Sequence, residues 1–111
     1  MADLTDFQTA ALRALHDEHN EFGDYRYQRR GCFLRLWAAG YLRDLTPAEE
    51  IEQTIRVLDG LAELGLVRNL NGRTVPGLTT SAHALTSAGY VQLGEPVPAE
   101  VAYHETQAVA S

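Results

Sequence analysis

Apolar positions recur every three or four residues through the first two-thirds of the chain, and the spacing then changes. Phe7, Ala11, Ala14/Leu15 and Phe22 fall at helical intervals. Thr5-Asp6-Phe7-Gln8 has the capping-box form, in which the Thr hydroxyl takes the N3 amide and the Gln reaches back. This predicts a first helix from Thr5 to about Gly23, with a short loop over 24–28. A second helix is predicted from about Arg29 to Leu42. Phe33, Leu36, Trp37, Gly40 and Tyr41 make one face, and Leu34, Ala38 and Leu42 carry the apolar surface well beyond a normal stripe. A helix this apolar belongs at the centre of a core or in contact with a second subunit.

Thr46-Pro47-Ala48-Glu49 is the sharpest local signal. It places Thr at the N-cap, Pro at N1 and Glu at N3. Ile51, Ile55, Leu58, Leu61 and Ala62 follow on one predicted face, and Gly65 ends the helix. Gly60 in its interior disfavours helix by about 1 kcal/mol relative to Ala, which suggests close approach of another helix. Leu66 to Leu70 is strand-like, Asn71-Gly72 is a type I′ hairpin signal, and Arg73-Thr74-Val75 is the predicted return strand. Pro76-Gly77 and Thr79-Thr80-Ser81 mark a loop. Ala82 to Leu85 is a further short strand, and Thr86 caps a last short helix through Leu93. Residues 1–94 are expected to form one domain. Residues 95–111 are expected to form a mobile tail or an added arm, with a short helix near 99–108.

The fold class that follows is mainly α with a small antiparallel β-hairpin (α+β). The length, 111 residues, is that of a single domain, and 45% hydrophobic with 22% charged residues is ordinary for a globular chain. The N-terminus has neither a basic region nor an apolar run, so no secretory signal is expected. No stretch approaches the ~18 apolar residues of a spanning helix, and no membrane partner is expected. A single cysteine, Cys32, makes no intramolecular disulfide, and its apolar neighbours suggest a buried, inert thiol. Together these favour a cytoplasmic protein.

The formal net charge of −6 argues at first against nucleic acid. Its distribution changes that picture. Residues 47–64 hold five acids and one base, and 95–111 hold three acids and no base. All nine bases are arginine, and seven of them lie in two acid-free segments, 25–43 and 64–94. A local basic face binds phosphate whatever the total charge.

The stretch Leu58 to Leu93 resembles the second half of a winged helix-turn-helix domain of the broad MarR/PadR-like regulator type. Leu61-Ala62-Glu63-Leu64-Gly65-Leu66-Val67 matches the leucine-rich end of the third helix, a wing hairpin follows, and Leu85-Thr86-Ser87-Ala88-Gly89 matches the phrase entered by the closing strand. The resemblance implies a winged helix-turn-helix fold and a DNA-binding transcriptional regulator, acting as a homodimer on double-stranded DNA; no cofactor is expected. In such domains the third helix enters the major groove and the wing follows the backbone or minor groove. The base-reading candidates are then Gln53 and Arg56, since Gln pairs with adenine and Arg with guanine. The wing candidates are Arg68, Asn71 and Arg73, and the acid-free segment adds Arg26, Arg29 and Arg30 as phosphate contacts.

Each of these residues has a plainer alternative. The presumed recognition helix carries Glu49, Glu50, Glu52, Asp59 and Glu63. Glu52 and Arg56 have the i, i+4 spacing of an intrahelical ion pair, and acids in a first turn serve the helix dipole. Arg68 and Arg73 also suit a solvated hairpin edge. Arg26, Arg29 and Arg30 are placed to pair with Asp17, Glu18 and Glu21 of the first helix. Tyr25, Tyr27, Trp37 and Tyr41 offer stacking faces, and Trp37 and Tyr41 suit a core or a dimer interface. The alternative function is a winged-helix protein-interaction module whose acidic third helix binds a basic protein partner without binding DNA. Enzyme chemistry has little to stand on. His16-Asp17-Glu18-His19 is the only metal-like cluster, a solvated helix face is the default for it, and no second His or Cys pair supports it, His83 and His104 lying far off in sequence. There is no glycine-rich phosphate loop and no nucleophile signature.

Overall fold

The computed structural model describes residues 3–22, 27–69, 74–75, 78–79, 82–99 and 101–103. Helix α1 (Asp6–Phe22) starts at the expected box: Gln8 N–H donates to Thr5 Oγ1 at 3.1 Å, and Thr5 N–H donates to Gln8 Oε1 at 2.9 Å. Strand β1 (Tyr27–Gln28) lies where a loop was expected, and α2 (Arg29–Ala38) follows at once. Residues 39–46 turn the chain into α3 (Pro47–Glu63), which has Thr46 at its N-cap and a complete capping box with Glu49. After it come β2 (Val67–Asn69), β3 (Thr74–Val75), β4 (Leu78–Thr79), β5 (Ala82–Leu85) and α4 (Ser87–Gln92).

α2 ends four residues before the predicted Leu42, for a local reason. Gly40 has φ +87, Gly40 N–H donates to Trp37 O at 3.1 Å, and Tyr41 N–H donates to Leu36 O at 3.1 Å. These are the paired bonds of a Schellman end, which needs a left-handed residue at C′. Gly65 (φ +76) repeats the arrangement after α3, with bonds to Ala62 O at 3.0 Å and from Leu66 N–H to Leu61 O at 3.1 Å.

The strands pair antiparallel in the order β1-β5-β2, with β3 and β4 as a separate two-stranded ladder. The expected hairpin is thereby corrected. Among the described residues β2 pairs with β5 (Val67↔Leu85, Asn69↔His83), not with β3, and β3 pairs with β4 (Thr74↔Thr79, Val75↔Leu78). Burial decides this pairing: Val67 and Leu85 are cross-strand partners and both belong to the core.

α1, α2 and α3 pack on one another, while α3 also lies against β2 and α1 against β5. The core joins Leu12 and Leu15 of α1, Cys32 and Leu36 of α2, Leu58 and Leu61 of α3, and Leu85, all at most 1% exposed. Full burial of each such leucine contributes about 1.5–3 kcal/mol. Burial pushes the Cys32 thiol up to about 12, with Glu18 adding to the effect and Arg35 opposing it, so the thiol is inert near neutral pH. Gly89 of α4 is needed for close approach, since a Cβ there would run into the Leu66 carbonyl oxygen and come within 2.9 Å of Leu85 Cδ2. That gives a packing reason for the glycine in Leu85-Thr86-Ser87-Ala88-Gly89. At Gly60 nothing lies within 4 Å of an added Cβ, so the expected helix contact there is not made.

The segment after α4 is seated on the body. Val101 is buried in the core, Val97 packs against it, and Arg13 Nη1 donates to Glu95 Oε1 at 3.0 Å. This cover also corrects the reading of the α1 histidines as solvated. His16 and His19 are each 8% exposed. His19 Nδ1 lies 2.5 Å from the buried Tyr90 hydroxyl, and His16 Nδ1 lies 3.1 Å from Asp17 Oδ1. No helix among the described residues is long and apolar enough to cross a membrane.

Candidate nucleic-acid interface

The geometry of α3 follows from which side it buries. Thr54, Val57, Leu58 and Leu61 face the core, and the Thr54 hydroxyl donates to Glu50 O at 2.9 Å. Ile51, predicted to be core, is instead 56% exposed, and Ile55 is half-buried. Opposite the core, at the i, i+4, i+7 and i+11 spacing of one face, stand Glu52, Arg56, Asp59 and Glu63. Arg56 Nη2 donates to Glu52 Oε1 at 2.8 Å, with 70% of the arginine side chain and 56% of the glutamate side chain exposed. The expected intrahelical pair is therefore present, at the tip of the face. Asp59 Oδ1 lies 3.4 Å from Nε2 of His83, a fully buried residue of the central strand. Gln53 is half-buried beside this face.

Glu49 is committed to the helix start. Thr46 N–H donates to Glu49 Oε1 at 3.0 Å, and Glu49 N–H donates to Thr46 Oγ1 at 3.3 Å. Bonding first to the Thr46 backbone and then to its side chain holds the Glu49 carboxyl below the usual carboxylate range.

The remaining predicted contacts are distributed over other elements. Arg68 is half-buried on β2, opposite Ala84. Arg29 and Arg30 open α2. Arg26, Asn71 and Arg73 lie outside the described residues. The partner expected for the α1 acids is supplied among the described residues by Arg35, whose Nε is 3.5 Å from Glu18 Oε1 and whose Nη2 bonds to Glu21 Oε2. Burial works against the Arg35 charge, but hydrogen bonding to Glu21 and the charges of Glu18, Glu21 and Asp17 outweigh it and raise its pKa.

α2 also carries exposed apolar groups, with Leu34 49%, Trp37 61% and Tyr41 41% accessible. Trp37 is thus not a core residue. The Tyr41 ring stacks on Phe7 with centroids 5.6 Å apart. Between α1 and α2 an open cleft of about 440 Å³ is walled by Ala10, Ala14, Leu36 and Ala38, with Arg13, Asp17 and Arg35 as its charged groups. Both arginines are held there by acids of this chain. Among the described residues no three His, Cys, Asp or Glu side chains gather as a metal site.

Comparison with protein-family models, with curated proteins and with solved structures finds no match to this chain.

Proposed function

We propose that this chain is a winged helix-turn-helix DNA-binding transcriptional regulator, acting as a homodimer in the cytoplasm, with α3 as the recognition helix and the β2–β5 hairpin as the wing. The observation that carries the reading is the sheet order β1-β5-β2 with α2 and α3 enclosed between β1 and β2. β1, absent from the sequence expectation, is the strand that ties the helix pair to the root of the hairpin. α3 packs on β2, which pairs with β5, and this link between the helix and the base of the hairpin suits two-point contact with a groove and its flanking phosphates. Arg68 on β2 and Arg29 and Arg30 at the start of α2 are phosphate contacts of this reading, with Arg26 and Arg73, which lie outside the described residues, as further candidates.

The test is a shift assay on duplex fragments over a salt series, with oligomeric state measured in parallel. Steep loss of affinity with salt is expected, because each neutralised phosphate releases counterions. Arg68→Glu with Arg73→Glu should abolish binding. Absence of salt-sensitive binding to any duplex sinks the proposal.

A second reading is favoured by one observation, the outward face of α3, where the exposed acids Glu52 and Glu63 outnumber the exposed base Arg56. Under it the domain is a protein-interaction module that presents this acidic face to a basic partner. Partner binding would then survive the two arginine reversals and be lost with Glu63→Lys.

A further inference from the structure

The acids on α3 are the main obstacle to the DNA-binding reading, and one of them has a geometry that makes it an asset. We infer that Glu52 is a base-reading group that selects cytosine in the major groove, with Arg56 as its positioning residue; the inference rests on the DNA-binding reading above.

Of the four charged residues on the outward face, Asp59 is drawn toward His83 and Glu63 lies in the last turn. Glu52 and Arg56 lie in the N-terminal ten residues of α3, the part of a recognition helix that reaches base edges. The carboxylate uses Oε1 to accept from Arg56 Nη2, and more than half of its side chain faces solvent. An ionised carboxylate has about four acceptor sites, so one arginine bond leaves others to face outward. The guanidinium offsets the negative charge beside the phosphates and biases the carboxylate toward the arrangement in which Oε1 is paired.

An oriented carboxylate can only accept. On the major-groove edge guanine offers N7 and O6, both acceptors, and thymine offers the O4 acceptor and a methyl group. Adenine sets the N7 acceptor next to its N6 donor. Cytosine alone carries a donor, N4, and no acceptor on its own major-groove edge, the nearest acceptor being O6 of its paired guanine, so an acceptor-only group discriminates in its favour. Arg56 gives Nη2 to Glu52, so in this inference its part is to position the carboxylate rather than to read guanine with a free fork.

The experiment selects duplexes from a randomised pool with the full-length protein. It then measures affinities for the selected site and for single-base variants, using wild type, Glu52→Ala, Glu52→Gln, Arg56→Ala and Arg56→Lys. These side chains are largely exposed, and far-UV circular dichroism confirms that each variant is folded. For wild type one position should demand cytosine. Glu52→Ala should lower that preference at least about fivefold with the salt slope unchanged. Glu52→Gln, which adds a donor, should move the same position toward adenine. Arg56→Ala should blur the position and Arg56→Lys should restore part of it, whereas a merely structural role predicts no change in base preference. If Glu52→Ala keeps the full base preference, or tightens all duplexes equally with the motif unchanged, Glu52 is only a repulsive charge and the inference is overturned. If wild type binds no duplex at all, the DNA-binding reading falls and takes the inference with it, an outcome distinct from failure of the variants alone.

Discussion

Helices α2 and α3 are neighbours in sequence and in space, and both stop at a glycine of positive φ. Inward they are alike, with Leu36 and Cys32 of one and Leu58 and Leu61 of the other filling the same core. Outward they differ. α2 turns Leu34 and Trp37 to solvent, while α3 turns out Glu52, Arg56 and Glu63. Their starts differ too, because α3 opens on a full capping box and α2 directly on β1. The contrast separates two duties within one helix pair. The inner faces and the helix ends carry the folding energy, and each outer face is left to be shaped by what it meets.

The inner faces give the strongest way to break this comparison. Leu36→Ala and Leu58→Ala should each destabilise the protein by about 2–5 kcal/mol in urea unfolding, since both side chains are enclosed by the same core. A large disparity between them would show that one helix is dispensable to the fold. Next come the helix ends. Gly40→Ala and Gly65→Ala should each cost about 1–2 kcal/mol, the penalty of a left-handed alanine. Around Gly65 nothing lies within 4 Å of an added Cβ, so the whole effect there is backbone; at Gly40 the added atom meets only the flexible end of Arg43, at 3.0 Å.

The start of α3 comes third, where Thr46→Ala should cost about 1 kcal/mol, read from the thermal midpoint. Its partner adds a pH signature. The folded carboxyl pKa of Glu49 is lowered from 4.5, so its stabilising effect is fully present above that value and is lost as pH falls through the lowered pKa. The penalty of Glu49→Gln should therefore be constant near neutrality and shrink on acidification below about pH 4.5. The smallest effect is expected outside: Glu52→Ala should change stability by no more than about 0.5 kcal/mol, the range of an exposed i, i+4 pair. A larger loss would mean that the outer face of α3 has a structural duty as well.

Features that depend on residues three or four apart were legible in the chain. Thr5 with Gln8, Thr46 with Glu49, Glu52 with Arg56, and Thr86 with Gly89 all form the contacts their spacing predicts. What escaped depends on distant partners. Tyr27–Gln28 becomes a strand only because β5 lies beside it, and two residues carry no period of their own. His16 and His19 are buried because Tyr90 and the segment around Glu95 arrive from the other end of the chain. The composition of Asn71-Gly72 predicts pairing of the strands on either side of it, yet Val67 and Leu85, both in the core, are cross-strand partners and β2 pairs with β5. The α3 site was half visible. The ion pair follows from spacing, but the exposure of Ile51 and the link from Asp59 to His83 depend on how the helix is rotated against the sheet.

The two-residue strand β1 has a kinetic consequence. Tyr27 and His83 are cross-strand partners 56 positions apart, and the chain between them contains both α2 and α3. Closing so long a loop carries an entropic cost that local helix formation does not share, and contacts of large sequence separation slow folding. The capped helices can therefore gather before the sheet exists, and β1–β5 pairing falls among the late events. A substitution that weakens that pairing should act mainly by speeding unfolding, leaving the refolding rate nearly unchanged.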